Sequence, residues 1–191
     1  MKKICVYCGS SQKVDEKFKK SAGDIAKILV KNNFEVIYGG GSIGLMGALA
    51  DTVLEQGGHI TGIIPGFMEE LEWGHPQATM ISVDSMHQRK EMMMEMADAV
   101  IALAGGCGTF EEILEAITWR RLGLFKGPAI ILNTDGYYNH LINQLKVSID
   151  ESFMNDLHND LWIEINQPEE ILEALKNYKE IDNPLDNAAV K

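Results

Sequence analysis

The sequence predicts an α/β fold, a Rossmann-like doubly wound parallel sheet with helices on both faces in a single domain, and three observations carry that prediction. Short β-rich runs alternate with longer stretches of helical spacing along the whole chain. Val100-Ile101-Ala102-Leu103 and Ala129-Ile130-Ile131-Leu132 are apolar throughout, as in strands covered on both faces. Glycines gather just past several of the predicted strands, where open parallel sheets bind ligands.

Taken in order, Ile4-Cys5-Val6-Tyr7 sits in a first strand over 3–8. Phe18, Ala22, Ile25, Ala26 and Leu29 then recur at three- and four-residue steps, which predicts a helix over 16–30 ended by Asn32-Asn33. A second strand over 34–38 completes one βαβ unit, and a helix over 44–56 leads to a third strand over 59–63. The stretch 65–77 is long for a connection and carries Pro65, Gly66, Trp73, Gly74, His75 and Pro76, the composition of a loop that covers a site. Further strands are expected over 79–83, 98–103, 128–132 and 160–165, and further helices over 85–96, 107–122, 136–149 and 168–178. The domain spans 1–180, and the polar tail 181–191 is expected to fray.

Composition narrows the function. With 191 residues, 46% hydrophobic and 24% charged, the chain has the make-up of one globular domain that needs no disulfide or metal staple. Its 17 basic against 28 acidic residues give a net charge of −11, so the average surface repels nucleic acid and anionic membranes, and any anion site must be built locally. No apolar run reaches the ~18 residues of a membrane span, and a cytoplasmic protein is expected. The cysteines, Cys5, Cys8 and Cys107, are too few for a disulfide framework. Cys5 and Cys8 spell C-x-x-C, but within a strand they point to opposite faces and suit neither redox chemistry nor zinc.

Three strand ends converge on one expected anion site. They read Cys8-Gly9-Ser10-Ser11, Gly39-Gly40-Gly41-Ser42-Ile43-Gly44 and Ala104-Gly105-Gly106-Cys107-Gly108-Thr109, and each opens or precedes a helix. Glycine lets the backbone approach an anion, helix-start N–H groups point at it, and the hydroxyls of Ser10, Ser42 and Thr109 add donors beside Gly41. No Lys-Ser or Lys-Thr follows to make a P-loop, and no acid lies about 20 residues beyond Gly39 to hold a dinucleotide ribose. A mononucleotide or sugar phosphate therefore fits best. Met86-His87-Gln88-Arg89-Lys90 supplies adjacent cations, and Glu111 and Glu112 follow the third loop about 100° apart on a helix, so the two cannot share a role. A glutamate near an arginine and a phosphate site points to hydrolysis at a glycosidic carbon, where a carboxylate stabilises an oxocarbenium-like transition state and activates water. His87 is expected to hydrogen-bond behind Arg89, and the run Met92, Met93, Met94 and Met96 to leave part of its surface outside the core, at a helix or dimer interface.

Together the motifs Gly39 to Gly47, Met86 to Lys90 and Gly105 to Glu112, followed by Thr118-Trp119 and Leu122-Gly123, closely resemble the LOG ("Lonely Guy") family over roughly residues 3 to 178. The resemblance implies a phosphoribohydrolase that cleaves the N-glycosidic bond of cytokinin-type or adenosine 5′-monophosphates to free base and ribose 5-phosphate, without metal or organic cofactor, as a homodimer. It implies Arg89 and Glu112 as the catalytic pair. It also implies Lys90 and the loop Gly106, Cys107, Gly108, Thr109, Phe110 and Glu111 around the phosphoribosyl group, with Thr118 and Glu72 completing the site. The family's Pro-Gly-Gly-x-Gly-Thr appears here with Ala104 in place of proline, which puts the rigidity of the loop in question. Two other readings stand beside this one. The first is a non-catalytic nucleotide or molybdenum cofactor carrier. The second is a pyridoxal-phosphate lysine decarboxylase, for which Lys90 would be the evident Schiff-base lysine near the loops.

Overall fold

The computed structural model describes residues 2–69 and 74–180. In chain order the elements are β1 (Lys3–Tyr7), α1 (Glu16–Lys31), β2 (Glu35–Tyr38), α2 (Gly44–Glu55), β3 (Ile60–Pro65), the single turn α3 (Gly66–Glu69) and β4 (Thr79–Val83). They continue with α4 (Met86–Glu95), β5 (Ala99–Ala102), α5 (Cys107–Arg121), β6 (Ala129–Leu132), α6 (Asn139–Asp150), β7 (Ile163–Ile165) and α7 (Ile171–Asn177). All seven strands are parallel, in the order β4-β3-β2-β1-β5-β6-β7. The chain winds outward from β1 to β4, returns to β5 on the other side of β1, and winds outward again. The topological switch point therefore lies between β1 and β5, where the carboxyl ends leave a crevice.

Two apolar layers sandwich the sheet. Ile4, Val6 and Tyr38 pack with Ala22, Ile25 and Leu29 of α1, Leu45 and Leu49 of α2 and Ile171 of α7. On the opposite face Cys5, Tyr7 and Ile37 pack with Met93 of α4, Ile113 of α5 and Ile142 of α6. Alternate residues of β1 feed the two cores, as strand geometry requires. Cys5 and Cys8 accordingly lie in different cores, and burial pushes both thiols well up, away from the reactive thiolate.

Several predicted boundaries shift for local reasons. Residues 134–136 form a 3-10 turn with Asp135 at φ 54, so α6 starts at Asn139 rather than at 136. The segment Asp156–Leu161 is a 3-10 helix, held by a reciprocal cap between Asn155 and His158, which delays β7 to Ile163. Pro168 opens a further 3-10 turn ahead of α7, a place where its missing N–H costs nothing. The β1 loop is not the opening of α1, because Asp15, not the loop, caps that helix by accepting from the N–H of Lys17 at 3.0 Å. Within the long connection, Gly74 pairs with Gly41 in an antiparallel bridge and the His75 N–H donates to the Gly40 carbonyl at 2.9 Å, so this loop does return to the second glycine loop. Trp73 and the tail 181–191 lie outside the described residues.

Candidate active site

The glycine loops divide the work unequally. Helix α5 begins at Cys107, with Gly106 as its N-cap, and no side chain caps its first turn. Its leading N–H groups have no carbonyl one turn back, so they remain available to an anion, which the helix dipole also favours. Helix α2 is different, because the N–H groups of Leu45 and Met46 both donate to the Gly9 carbonyl, at 3.0 and 3.3 Å. Gly44, at φ +64, lies so close to the Ser10 backbone that a Cβ would collide with it. The expectation of a second helix-start cradle at α2 is thus corrected: main chain of the β1 loop already fills that position.

The β5 loop is held carbonyl by carbonyl. The Leu103 carbonyl accepts from the Tyr138 hydroxyl at 2.7 Å, that of Ala104 from the Gly9 N–H at 3.0 Å, and that of Gly105 from the Tyr137 hydroxyl at 2.6 Å. Edge-to-face contacts of Phe18 with Tyr137 and of Phe110 with Tyr138 fix the two rings. These bonds restrain the loop where the family's proline is replaced by Ala104.

Arg89 and Glu112 meet in a buried ion pair. Nη1 of Arg89 donates to Oε1 of Glu112 at 2.8 Å, and each side chain is 7% exposed. Nε of Arg89 donates to the Ile63 carbonyl at 3.0 Å, and Nη2 faces the Gly39 carbonyl at 3.5 Å. Burial pushes the Glu112 carboxyl above the ordinary glutamate range, although Arg89 pulls the other way. The neighbouring residues on each helix behave differently. Lys90 pairs with Glu111 at 2.7 Å and Glu115 at 3.2 Å, and Glu111, 62% exposed, is held below the usual carboxylate range by Lys90. The angular argument separating Glu111 from Glu112 therefore holds in the fold.

A cavity of about 290 Å³ opens beside the pair, lined by Ser10, Gly39, Gly41, Ser42, Ile43, Met46, Ile64, Met68 and Arg89. A second, of about 350 Å³, shares Ser10 and reaches Gly105, Gly106, Phe18 and Tyr137 across the β1 loop. Ser10, Gly41, Ser42, Gly106 and Arg89 thus fall on the two cavities as the sequence suggests, and Glu112 is joined to them through Arg89. Cys107 and Gly108 are exposed at the start of α5, while Thr109 is buried beneath it and Phe110 is half-buried against the core. Thr118 is not brought to either cavity: it is exposed farther along α5, its hydroxyl donating to the Leu114 carbonyl at 2.9 Å. Glu72 lies outside the described residues.

One secondary expectation changes. His87 is exposed on α4 and makes no hydrogen bond to Arg89 among the described residues. The methionine run keeps its expected division: Met93 and Met94 are buried, and Met92 and Met96 pack against the same core while remaining partly outside it. Met46 and Met68 line the cavity instead. Ile43 and Met46 lie within the Gly39 to Gly47 motif but are not singled out by it, and nothing in the sequence marks Met68, Ile64 or the Ile63 carbonyl, because these come from α3 and β3 and only the tertiary fold brings them to α2.

Among the described residues no group of His, Cys, Asp and Glu side chains is placed to hold a metal ion, and no helix is long and apolar enough to cross a membrane. A family model described as a possible lysine decarboxylase matches residues 46–175. Cytokinin riboside 5′-monophosphate phosphoribohydrolase LOG5 of Arabidopsis thaliana is 39% identical over 183 residues, covering 95% of this chain and 80% of its own. The probable phosphoribohydrolase LOGL6 of Oryza sativa subsp. japonica is 40% identical over 93% of this chain and 71% of its own. Among solved structures, the molybdenum cofactor binding protein of Rippkaea orientalis superposes with a TM-score of 0.70 at 20% identity, covering 92% of this chain and 96% of its own. The molybdenum cofactor carrier protein of Chlamydomonas reinhardtii gives 0.69 at 18% identity, over 93% and 98%. At such identities these two show the shared fold alone.

Proposed function

The chain belongs to the LOG family of phosphoribohydrolases, and from that premise we propose that it hydrolyses the N-glycosidic bond of purine nucleoside 5′-monophosphates, of the cytokinin or adenosine type, to free base and ribose 5-phosphate. The observation that carries the reading is the buried Arg89–Glu112 pair at the edge of a cavity, close to the uncapped start of α5. In this reading the phosphate rests on the N–H groups of 107–109. Glu112 lies five residues past Cys107, roughly 7.5 Å along the helix axis, which sets the carboxylate beside the ribose rather than the phosphate. As the bond from C1′ to the base breaks, its electron pair leaves with the base nitrogen and positive charge develops on the sugar. The Glu112 carboxylate faces that charge and accepts a proton from the water whose oxygen bonds to C1′; that proton then passes to the departing base nitrogen, giving free base and restoring the carboxylate, while Arg89 orients the carboxylate and the departing group. Ile43, Met46, Ile64 and Met68 offer an apolar wall to the base.

The test is to incubate the protein with AMP or isopentenyladenosine monophosphate, without added metal, and to follow base and ribose 5-phosphate by chromatography. Release of both products is expected from at least one nucleotide. Stoichiometric binding without turnover would favour a carrier. The decarboxylase reading fits poorly, because a Schiff-base lysine is activated by a lowered pKa, whereas Glu111 and Glu115 hold Lys90 above the ordinary lysine range. We also assign a homodimer, for which light scattering should give twice the 21.2 kDa chain mass; particles of single-chain mass would contradict it.

A pH signature follows from the buried carboxyl. Since Glu112 titrates above the ordinary glutamate range, the acid limb of kcat/KM should lie above that range too, as protonation removes the base. The folded state binds its proton more tightly than the unfolded chain does, so within the same window the contribution of Glu112 to stability falls as pH rises. Activity and stability, each taken relative to Glu112→Gln, should therefore move in opposite directions between the ordinary and the raised value. An acid limb at the pKa of a free glutamate would contradict this.

A further inference from the structure

The second glycine loop lies just past the end of β2, where sheet pairing stops: Tyr38, opposite Gly62, is the last β2 residue paired to β3. Gly39, Gly40 and Gly41 have no Cβ to restrict them, so this stretch is costly to hold in one conformation unless other main chain bonds to it. That main chain comes from the far end of the 65–77 connection. The His75 N–H donates to the Gly40 carbonyl at 2.9 Å, and Gly74 bridges to Gly41. Gly41 in turn forms part of the wall of the cavity of about 290 Å³, next to Ser42, Ile43 and Met46.

Residues 74 and 75 are held in place by the imidazole of His75, which is 5% exposed and bonded at both ring nitrogens. Its Nδ1 accepts from the Gln77 N–H at 3.3 Å, so the ring proton is assigned to Nε2, which donates to Oδ1 of Asp51 at 3.1 Å. Asp51 lies on α2, five residues and roughly 7.5 Å along the axis beyond Met46. The bonds therefore close a ring, from α2 through Asp51 and His75 to Gly40, and along the glycine loop back to α2. Resting on the phosphoribohydrolase reading, we infer that His75 is a positioning residue for the base: clamped by Asp51, it holds the Gly40–Gly41 peptide so that one wall of the cavity is formed before the nucleotide arrives. A wall already in place spares the nucleotide the cost of ordering it. The ring consists of α2, the second glycine loop and residues 74–77, whereas the proposed phosphate subsite is main chain of α5. Losing the clamp should thus weaken the hold on the base and spare the phosphate.

The experiment compares nucleotides with ribose 5-phosphate by calorimetry in the Glu112→Gln background, where binding is read without turnover, and KM with kcat in the active enzyme. His75→Ala should weaken AMP and isopentenyladenosine monophosphate about tenfold, and raise KM by the same factor with kcat nearly unchanged. Ribose 5-phosphate binding should stay within about twofold. Asp51→Ala changes a side chain that is 62% exposed and leaves the imidazole intact; it should weaken the nucleotides about threefold or more, and add little once His75→Ala is present. His75→Gln, whose amide can still donate to Asp51, should restore most of the affinity. Should His75→Ala fail to fold, Asp51→Ala carries the test alone. Wild-type nucleotide affinity in either variant, an equal loss of ribose 5-phosphate binding, or a fall in kcat at constant KM would overturn the inference. Wild-type protein that binds nucleotide without releasing base would fail the hydrolase reading and leave the clamp to be decided by the same binding ratios; wild-type protein that binds neither nucleotide would overturn both.

Discussion

Glu112→Gln is expected to abolish base release, by about 1000-fold in kcat, while the protein still folds and still binds nucleotide. Glutamine keeps the size of the side chain and leaves an oxygen to accept from Nη1 of Arg89, so the 2.8 Å contact persists in form. What it removes is the negative charge that faces the developing cation, together with the acceptor for the proton of water. On the proposed reading the phosphate rests on main-chain N–H groups of 107–109, three to five residues ahead of Glu112, and not on its carboxylate, so nucleotide affinity should stay near wild type. The substitution also leaves the buried Arg89 guanidinium without its counter-charge, which is destabilising, and a lowered but still cooperative melting transition is the expected companion. Turnover within tenfold of wild type, in a protein that melts cooperatively, would remove Glu112 from the chemistry.

The alternating pattern made the fold legible, because the central strands are apolar runs and the helices between them, α1 and α6 most clearly, carry a repeating apolar stripe. The topological switch between β1 and β5 was legible only as a place where glycines collect. At the site, the residue types were readable and their division of labour was readable in part. The angular separation of Glu111 and Glu112 already split the two glutamates, and the fold splits Arg89 and Lys90 in the same way, one buried against Glu112 and one between Glu111 and Glu115. The role of the second glycine loop was not readable. Gly39, Gly41 and Gly44 look like a phosphate loop by spacing, but the start of α2 is occupied by the Gly9 carbonyl. Similarly, nothing local to Ala104 tells that Tyr137 and Tyr138, more than thirty residues on, hold the carbonyls on either side of it.

The role of Gly39 yields the second large effect. A Cβ built on Gly39 falls inside the van der Waals shell of Nη2 of Arg89 and against the methyl of Met46. A terminal guanidinium usually moves aside at little cost, but this one is anchored by its Nε to the Ile63 carbonyl and by its Nη1 to Glu112, inside a wall that leaves Arg89 6% exposed. Gly39→Ala must therefore shift the arginine or the strand end, and the expected result is a loss of about 100-fold in kcat, with an overpacking cost of about 1–3 kcal/mol in stability. Gly66→Ala, where a Cβ meets only the Ser82 hydroxyl at an ordinary 3.7 Å, is the matched control and should retain activity. A cycle with Arg89→Lys separates the cause. Lysine lacks the second terminal nitrogen that the alanine would strike, so once Arg89→Lys has taken its own toll, adding Gly39→Ala should cost little more. Additive losses would mean that Gly39 acts through the loop backbone rather than through Arg89, and that the glycine is there for the ligand's approach instead of the arginine's.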